Sequence, residues 1–176
     1  MSTAWRLRRA TAADAPAAAM VAAASFLETF AGILPGEDIV AHCTRNSSAA
    51  KFAGWADDPA SVVTLAEHPD GAAPVGYTLL TTPDLPITPE HGDIELRRIY
   101  ALSLTRGTGL GNRLMAQAIA DAQSLGARRL LLGVLGTNHV ARAFYEREGF
   151  TLAGTRRFNV GAGWYDDVIY ARNLPR

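Results

Sequence analysis

Two short stretches hold residues whose types and spacing suit chemistry on an anionic ligand and beside a proton donor. The first is Arg106-Gly107-Thr108-Gly109-Leu110-Gly111, a glycine-rich turn. It runs into Leu110, Leu114, Ala118, Ala122 and Leu125, whose three- and four-residue spacing shares one helix face. It follows Asp93–Leu102, where Ile94, Leu96, Ile99, Tyr100 and Leu102 give a strand-like pattern. A strand, a bare-backbone turn and a helix N-terminus together make an anion site, because glycine lets N–H groups approach closely and the helix dipole favours negative charge. The implied ligand is a phosphate or pyrophosphate. The second stretch, Asn138 to Phe150, predicts a helix capped by Asn138 and ended by Gly149 in a left-handed conformation. Ala141, Phe144, Tyr145 and Glu148 share a face of it, so a phenolic hydroxyl rides on an amphipathic helix.

Three phosphate motifs compete for the turn. A nucleotide-triphosphate loop needs a lysine after its last glycine, and the chain's one lysine is Lys51. A dinucleotide fingerprint would place its last glycine on Asn112 or Leu114. The pattern Gln/Arg-x-x-Gly-x-Gly/Ala is met by Arg106, Gly109 and Gly111, and it resembles the acetyl-CoA pyrophosphate loop of the GNAT N-acetyltransferases. The later helix resembles that family's Asn-x-x-Ala-x-x-Phe-Tyr signature closed by Gly-Phe. The two motifs stand in family order, joined by a helix and by the buried-strand run Arg128–Leu135. On these motifs the chain is identified as a member of the GNAT superfamily, well matched over about residues 74–172 and in outline before them.

The resemblance implies an α/β (α+β) fold in a single domain, residues 1–176: a mixed, mostly antiparallel twisted sheet of about seven strands flanked by about four helices. It implies acetyl-CoA as cosubstrate, no metal, and direct acetyl transfer to the primary amine of a small molecule. By resemblance, the backbone of Ile99, Tyr100 and Ala101 holds the pantetheine and thioester. Arg106, Gly107, Thr108, Gly109, Leu110, Gly111 and Asn112 cradle the pyrophosphate, Asn138 and Phe144 touch the pantetheine arm, and Tyr145 is the general acid. A tyrosine of ordinary pKa, about 10, stays protonated at neutral pH and can donate to a departing thiolate. The bland alternative for Tyr145 is a packed residue with its hydroxyl satisfied by backbone. Where ribosomal-protein acetyltransferases of the superfamily carry a glutamate base, this chain has Gly133. Glu95 is the remaining base candidate; strand parity groups it with Arg97, Ile99 and Ala101, and it either acts through water or pairs with an arginine. His139, beside the cap, points toward solvent. The local match is most similar to bacterial members acting on small amines and polyamines. Protein N-termini or antibiotic amines are the alternative acceptors, and a non-catalytic acyl-CoA-binding regulator is the alternative class. Tyr145 argues against the last.

The remaining elements must position these groups. Trp5–Ala10 reads as a strand, Thr11 and Asp14 as a capping box opening a helix to Phe30, and Glu37–Trp55 as a second helix. Ser61–Glu67 and Val75–Thr82 read as a hairpin around Pro69-Asp70-Gly71. Pro83–Gly92 reads as an irregular loop overhanging the acceptor site, and Phe150–Asn159 with Trp164–Asn173 as a final strand pair. Phe26, Glu28, Phe30 and His42 are the polar and aromatic candidates on the acceptor side, Phe26 and Phe30 reading first as helix packing. The 48% hydrophobic and 19% charged composition is ordinary for a soluble domain, and the zero formal charge favours neither nucleic acid nor an anionic membrane. Most of the basic pairs at Arg8-Arg9, Arg97-Arg98, Arg128-Arg129 and Arg156-Arg157 read as solvated strand ends, with no basic stripe. One cysteine, Cys43, excludes an internal disulfide and fits a reducing cytoplasm. The alanine-rich start is interrupted by Asp14 and Pro16 and does not read as a signal peptide, and a homodimer is allowed.

Overall fold

The computed structural model describes residues 4–175. The chain forms seven strands, some continuously buried and some alternating: β1 (Arg6–Arg9), β2 (Val62–Glu67), β3 (Pro74–Thr81), β4 (Asp93–Ala101), β5 (Arg129–Leu135), β6 (Thr151–Val160) and β7 (Gly163–Asn173). They form one sheet in the order β1-β2-β3-β4-β5-β7-β6, antiparallel throughout except between β4 and β5. Five α-helices cover it among the described residues: α1 (Ala15–Phe30), α2 (Gly36–Asn46), α3 (Ala49–Asp57), α4 (Leu110–Ser124) and α5 (His139–Arg147). On one face α4 and α5 bury Leu114, Met115, Ala118, Ala122 and Tyr145 against Ile94, Leu96, Leu130 and Leu132. On the other, α1 and α3 bury Ala18, Val21, Ala22 and Phe52 against Val63, Leu65, Tyr77 and Leu79.

Three local expectations are corrected. The single helix expected over Glu37–Trp55 is two, because Ser47 and Ser48 interrupt it and Ser48 caps α3 by accepting from the Lys51 N–H at 3.3 Å. Leu125, expected on the buried face of α4, follows its last turn and is 39% exposed. The basic pairs are not simply solvated strand ends. At least one arginine of each pair is held by hydrogen bonds to the protein instead. Arg8 binds Asp14 and Glu67, Arg98 binds Asn46 O and Ser47 Oγ, Arg129 binds Asp93, and Arg156 binds Asp167. The capping box of Thr11 and Asp14 forms as read, through a short 3₁₀ turn that leads into α1.

The sheet is split where it matters. β4 and β5 pair only over Asp93–Glu95 and Arg129–Leu131. Beyond that point β4 keeps β3 as its sole neighbour and β5 keeps β7. Two parallel strands thus diverge and leave polar backbone edges facing one another across a gap.

Candidate active site

The gap opens into a cleft of about 670 Å³ lined by strand residues of β4 and β5, by α1 and α2, by α5, and by the β6–β7 hairpin. The backbone of β4 supplies its polar edge. Leu102 N–H bonds Val75 O at 2.8 Å, and alternate residues of an antiparallel strand share a side. Tyr100 therefore spends its backbone on β3, while Ile99 and Ala101 turn N–H and C=O toward the gap. Tyr100 contributes its side chain to the cleft instead, stacked on Tyr77 at 5.9 Å.

The glycine turn lies at the start of α4. Gly107 and Gly109 have φ of 75° and 79°, the left-handed region where a Cβ is strained. The N–H groups of Gly107, Gly109, Leu110, Gly111 and Asn112 have no acceptor among the described residues. A Cβ built at Gly107, Gly109 or Gly111 would meet nothing within 4 Å, so the concavity is open. These are the conditions for seating a pyrophosphate. Arg106 stands exposed at its rim, and Leu110 is buried, so only its backbone serves the turn. Asn112 donates to Glu148 at 2.9 Å, tying α4 to the end of α5. Thr108 Oγ1 donates to Thr105 O at 2.6 Å and accepts from the buried Trp5 indole N–H at 2.9 Å. Trp5, in the segment leading into β1, was not singled out by sequence pattern; a partner 103 residues away leaves no local signal.

Helix α5 carries the hydroxyl. Asn138 caps it, its Oδ1 accepting from Ala141 N–H at 3.1 Å, and Asn138 and Ala141 both line the cleft. Phe144 packs partly buried against the core beside Tyr145. Arg142 bonds Gly136 O and Tyr170 Oη, and Tyr170 donates to Glu146 at 2.6 Å, which clamps the helix onto β7. Tyr145 is 8% exposed and lines the cleft, and its hydroxyl has no partner among the described residues. Burial first, and neighbouring Tyr100 second, push its pKa well above the ordinary phenol value, so it stays a proton donor.

Glu95 is 4% exposed and also lines the cleft. Its Oε2 accepts from Asp84 N–H at 2.8 Å and from Arg97 at 3.4 Å, so the Pro83–Gly92 loop does reach this site. The parity expected for Glu95 does not hold. Register with β3 shifts between Leu79 and Leu80, which leaves Arg97 without a directly opposed partner. Glu95 opposes Thr81, on the same side of β3 as Leu79, while Leu96 and Ile99 pack toward α4 and α5. Glu95 thus shares its face with Arg98 and Tyr100, the side covered by α1 and α2.

On that side Phe26, Phe30, Phe158 and Tyr165 wall the cleft, and Val160 at the hairpin tip packs against Phe26, Leu34 and Ile39. His42 stacks on Phe26 at 4.3 Å, and its pKa is held down to about 4 by burial, then by Arg98 and Arg45. Glu28 is not in the cleft lining; it accepts from Ser103 N–H and Oγ at 2.8 and 3.0 Å and braces the turn after β4. Asp167, on the final strand pair, is 6% exposed in the cleft and bonded to Arg156 at 3.1 Å. Burial raises its pKa and Arg156 opposes the rise. His139 is exposed, as read. Among the described residues no cluster of three or more His, Cys, Asp or Glu could hold a metal, and no helix is long and apolar enough to cross a membrane.

Against known proteins, the model of the "Acetyltransferase (GNAT) family" matches residues 28–150. An uncharacterized N-acetyltransferase of Mycobacterium tuberculosis is 36% identical over 161 residues, 92% of this chain and 98% of the relative. The PaiA N-acetyltransferase of Thermoplasma acidophilum, solved with coenzyme A, has a TM-score of 0.74 at 19% identity, covering 97% of this chain and 99% of that one. The acetyltransferase YncA of Salmonella typhimurium, solved with acetyl-CoA, has a TM-score of 0.73 at 20% identity, covering 98% and 95%.

Proposed function

The chain belongs to the acetyltransferase (GNAT) family, and from that premise we propose that it moves the acetyl group of acetyl-CoA directly to the primary amine of a compact small molecule. The observation that carries this reading is the parting of β4 from β5 beside the open turn at Gly107–Asn112. It offers N–H groups without acceptors among the described residues for a pyrophosphate, and unpaired strand edges for a pantetheine arm. The two solved relatives bind coenzyme A or acetyl-CoA.

Acetyl-CoA supplies an activated thioester carbonyl. Gly107, Gly109, Leu110, Gly111 and Asn112 hold the pyrophosphate through backbone N–H groups, with Arg106 at the rim. Ile99 and Ala101 hold the pantetheine amides and thioester through their outward backbone, with Asn138 and Phe144 along the arm. Glu95, tethered by Asp84 and Arg97, takes the proton of the incoming amine through water. Tyr145 gives its proton to the departing thiolate, and burial keeps it protonated for the task. The acceptor side offers aromatic walls closed at the hairpin tip, with Arg97 and Arg156 matched by Glu95 and Asp167 and Arg98 held by Asn46 O and Ser47 Oγ. That favours a short amine with an apolar portion over a long polycation. An amine-panel assay reading free thiol tests this: a higher kcat/KM for spermine than for every aryl or alkyl monoamine would overturn the acceptor class.

A further inference from the structure

Asp167 on β7 stands between Leu135 of β5 and Arg156 of β6. Its Oδ2 is held by Arg156 Nε, and its Oδ1 accepts no hydrogen bond among the described residues. Among those residues, Thr78 Oγ1 is the side-chain polar atom that is both sealed and unpaired, so Asp167 Oδ1 opens on the cleft it lines. The arrangement depends on Gly133: a Cβ there would lie 2.9 Å from the Arg156 guanidinium and displace it. The same guanidinium lies over the Phe158 ring, 5.0 Å from its centre. The titratable and charged groups around Asp167 are Arg156 from β6, the exposed Asp166 beside it and Tyr100 from β4. β5 presents only Gly133 and Leu135, and α1 and α2 present Phe26, Phe30 and His42 to the same cleft.

We infer that Asp167, aimed by Arg156 over Gly133, is the subsite that receives the ammonium group of the acceptor. The inference rests on the proposed reading that the acceptor is a primary amine, which with an ordinary pKa of about 10 arrives as a cation at neutral pH. A carboxylate more than nine-tenths buried, with one oxygen committed and one open, is completed by a cationic donor. Arg156 leaves it that vacancy because it engages through Nε alone. The neighbouring Phe26, Phe30, Phe158 and Tyr165 would take the apolar body of the same molecule. Asp167 is thus a specificity-determining residue: it selects for positive charge and contributes to binding rather than to turnover.

The test compares 2-phenylethylamine, cationic at pH 7.5, with O-benzylhydroxylamine, which has nearly the same shape and is neutral there. Asp167→Asn should raise the KM for 2-phenylethylamine by roughly 10–100-fold, the worth of a charge-assisted hydrogen bond. Its kcat should change little, and the KM for acetyl-CoA and the KM or inhibition constant of O-benzylhydroxylamine should stay within about twofold. Because Asp167→Asn leaves a partly buried guanidinium without its carboxylate, the double variant Asp167→Asn/Arg156→Gln is made as well, and it should show the same charge-dependent loss. An equal loss for both amines, no loss, or recovery of 2-phenylethylamine affinity in the double variant would overturn the subsite. No acetylation of 2-phenylethylamine by the unaltered protein would instead overturn the proposed acceptor class, and the subsite with it.

Discussion

Tyr145 is the residue on which the proposed chemistry turns. It is enclosed by Phe144, Phe150 and Tyr170 at ring separations of 5.5, 6.0 and 6.3 Å, and its hydroxyl has no partner among the described residues. A tyrosine kept only for packing would have its hydroxyl satisfied, so removing that oxygen should be felt in turnover and not in stability. Tyr145→Phe should lower kcat by roughly 10²–10⁴-fold, the range for a lost general acid, with acetyl-CoA affinity nearly unchanged. Titration by calorimetry alongside steady-state kinetics separates the two quantities, and a kcat within about twofold of wild type would remove Tyr145 from the mechanism. Because burial raises its pKa, the phenol should impose no fall in rate as pH rises through the range where an ordinary tyrosine ionises.

Among the elements, the turn into α4 is the one proposed to hold the donor. Gly109 caps the helix in the left-handed region, yet a Cβ there meets no neighbour, so backbone strain and ligand exclusion can be told apart. Gly109→Ala should cost about 1 kcal/mol of stability and still bind coenzyme A. Gly109→Glu should lose binding altogether, because a carboxylate occupies the place of the pyrophosphate; normal binding by that variant would refute the turn's role. This turn and α5 were legible in the sequence because their functional groups lie close along the chain and carry capping residues such as Asn138 and Gly149. The acceptor side was not. It assembles α1, α2, β4 and the β6–β7 hairpin from distant segments, and nothing near Asp167 or Trp5 in sequence announces Arg156 or Thr108. The irregularity at Arg97 also broke the alternation used to place Glu95, since a bulge leaves no mark in composition. The break at Ser47-Ser48 lay in a stretch whose helical spacing continues on both sides.

For the whole molecule, binding and folding are linked. Acetyl-CoA at a hundredfold excess over its Kd should add about 2.7 kcal/mol, a rise in Tm of roughly 5–10 °C for a domain of this size. Acid should act in the opposite direction through His42, whose pKa is about 4 in the folded chain against 6.5 when unperturbed. Between those values the unfolded chain binds a proton that the folded chain refuses. The contribution is therefore complete above pH 6.5 and lost as pH falls toward 4. The urea midpoint should drop from pH 7 to pH 5, and the drop should be shallower in His42→Gln; identical slopes would show that the imidazole is not held neutral. The central claim, direct transfer within the cleft between β4 and β5, is tested most directly by following free thiol after rapid mixing. Protein and acetyl-CoA alone should release no stoichiometric burst, and adding 2-phenylethylamine should release one thiol for each N-acetyl product formed. A burst without amine, or amine addition that releases no thiol, would contradict it.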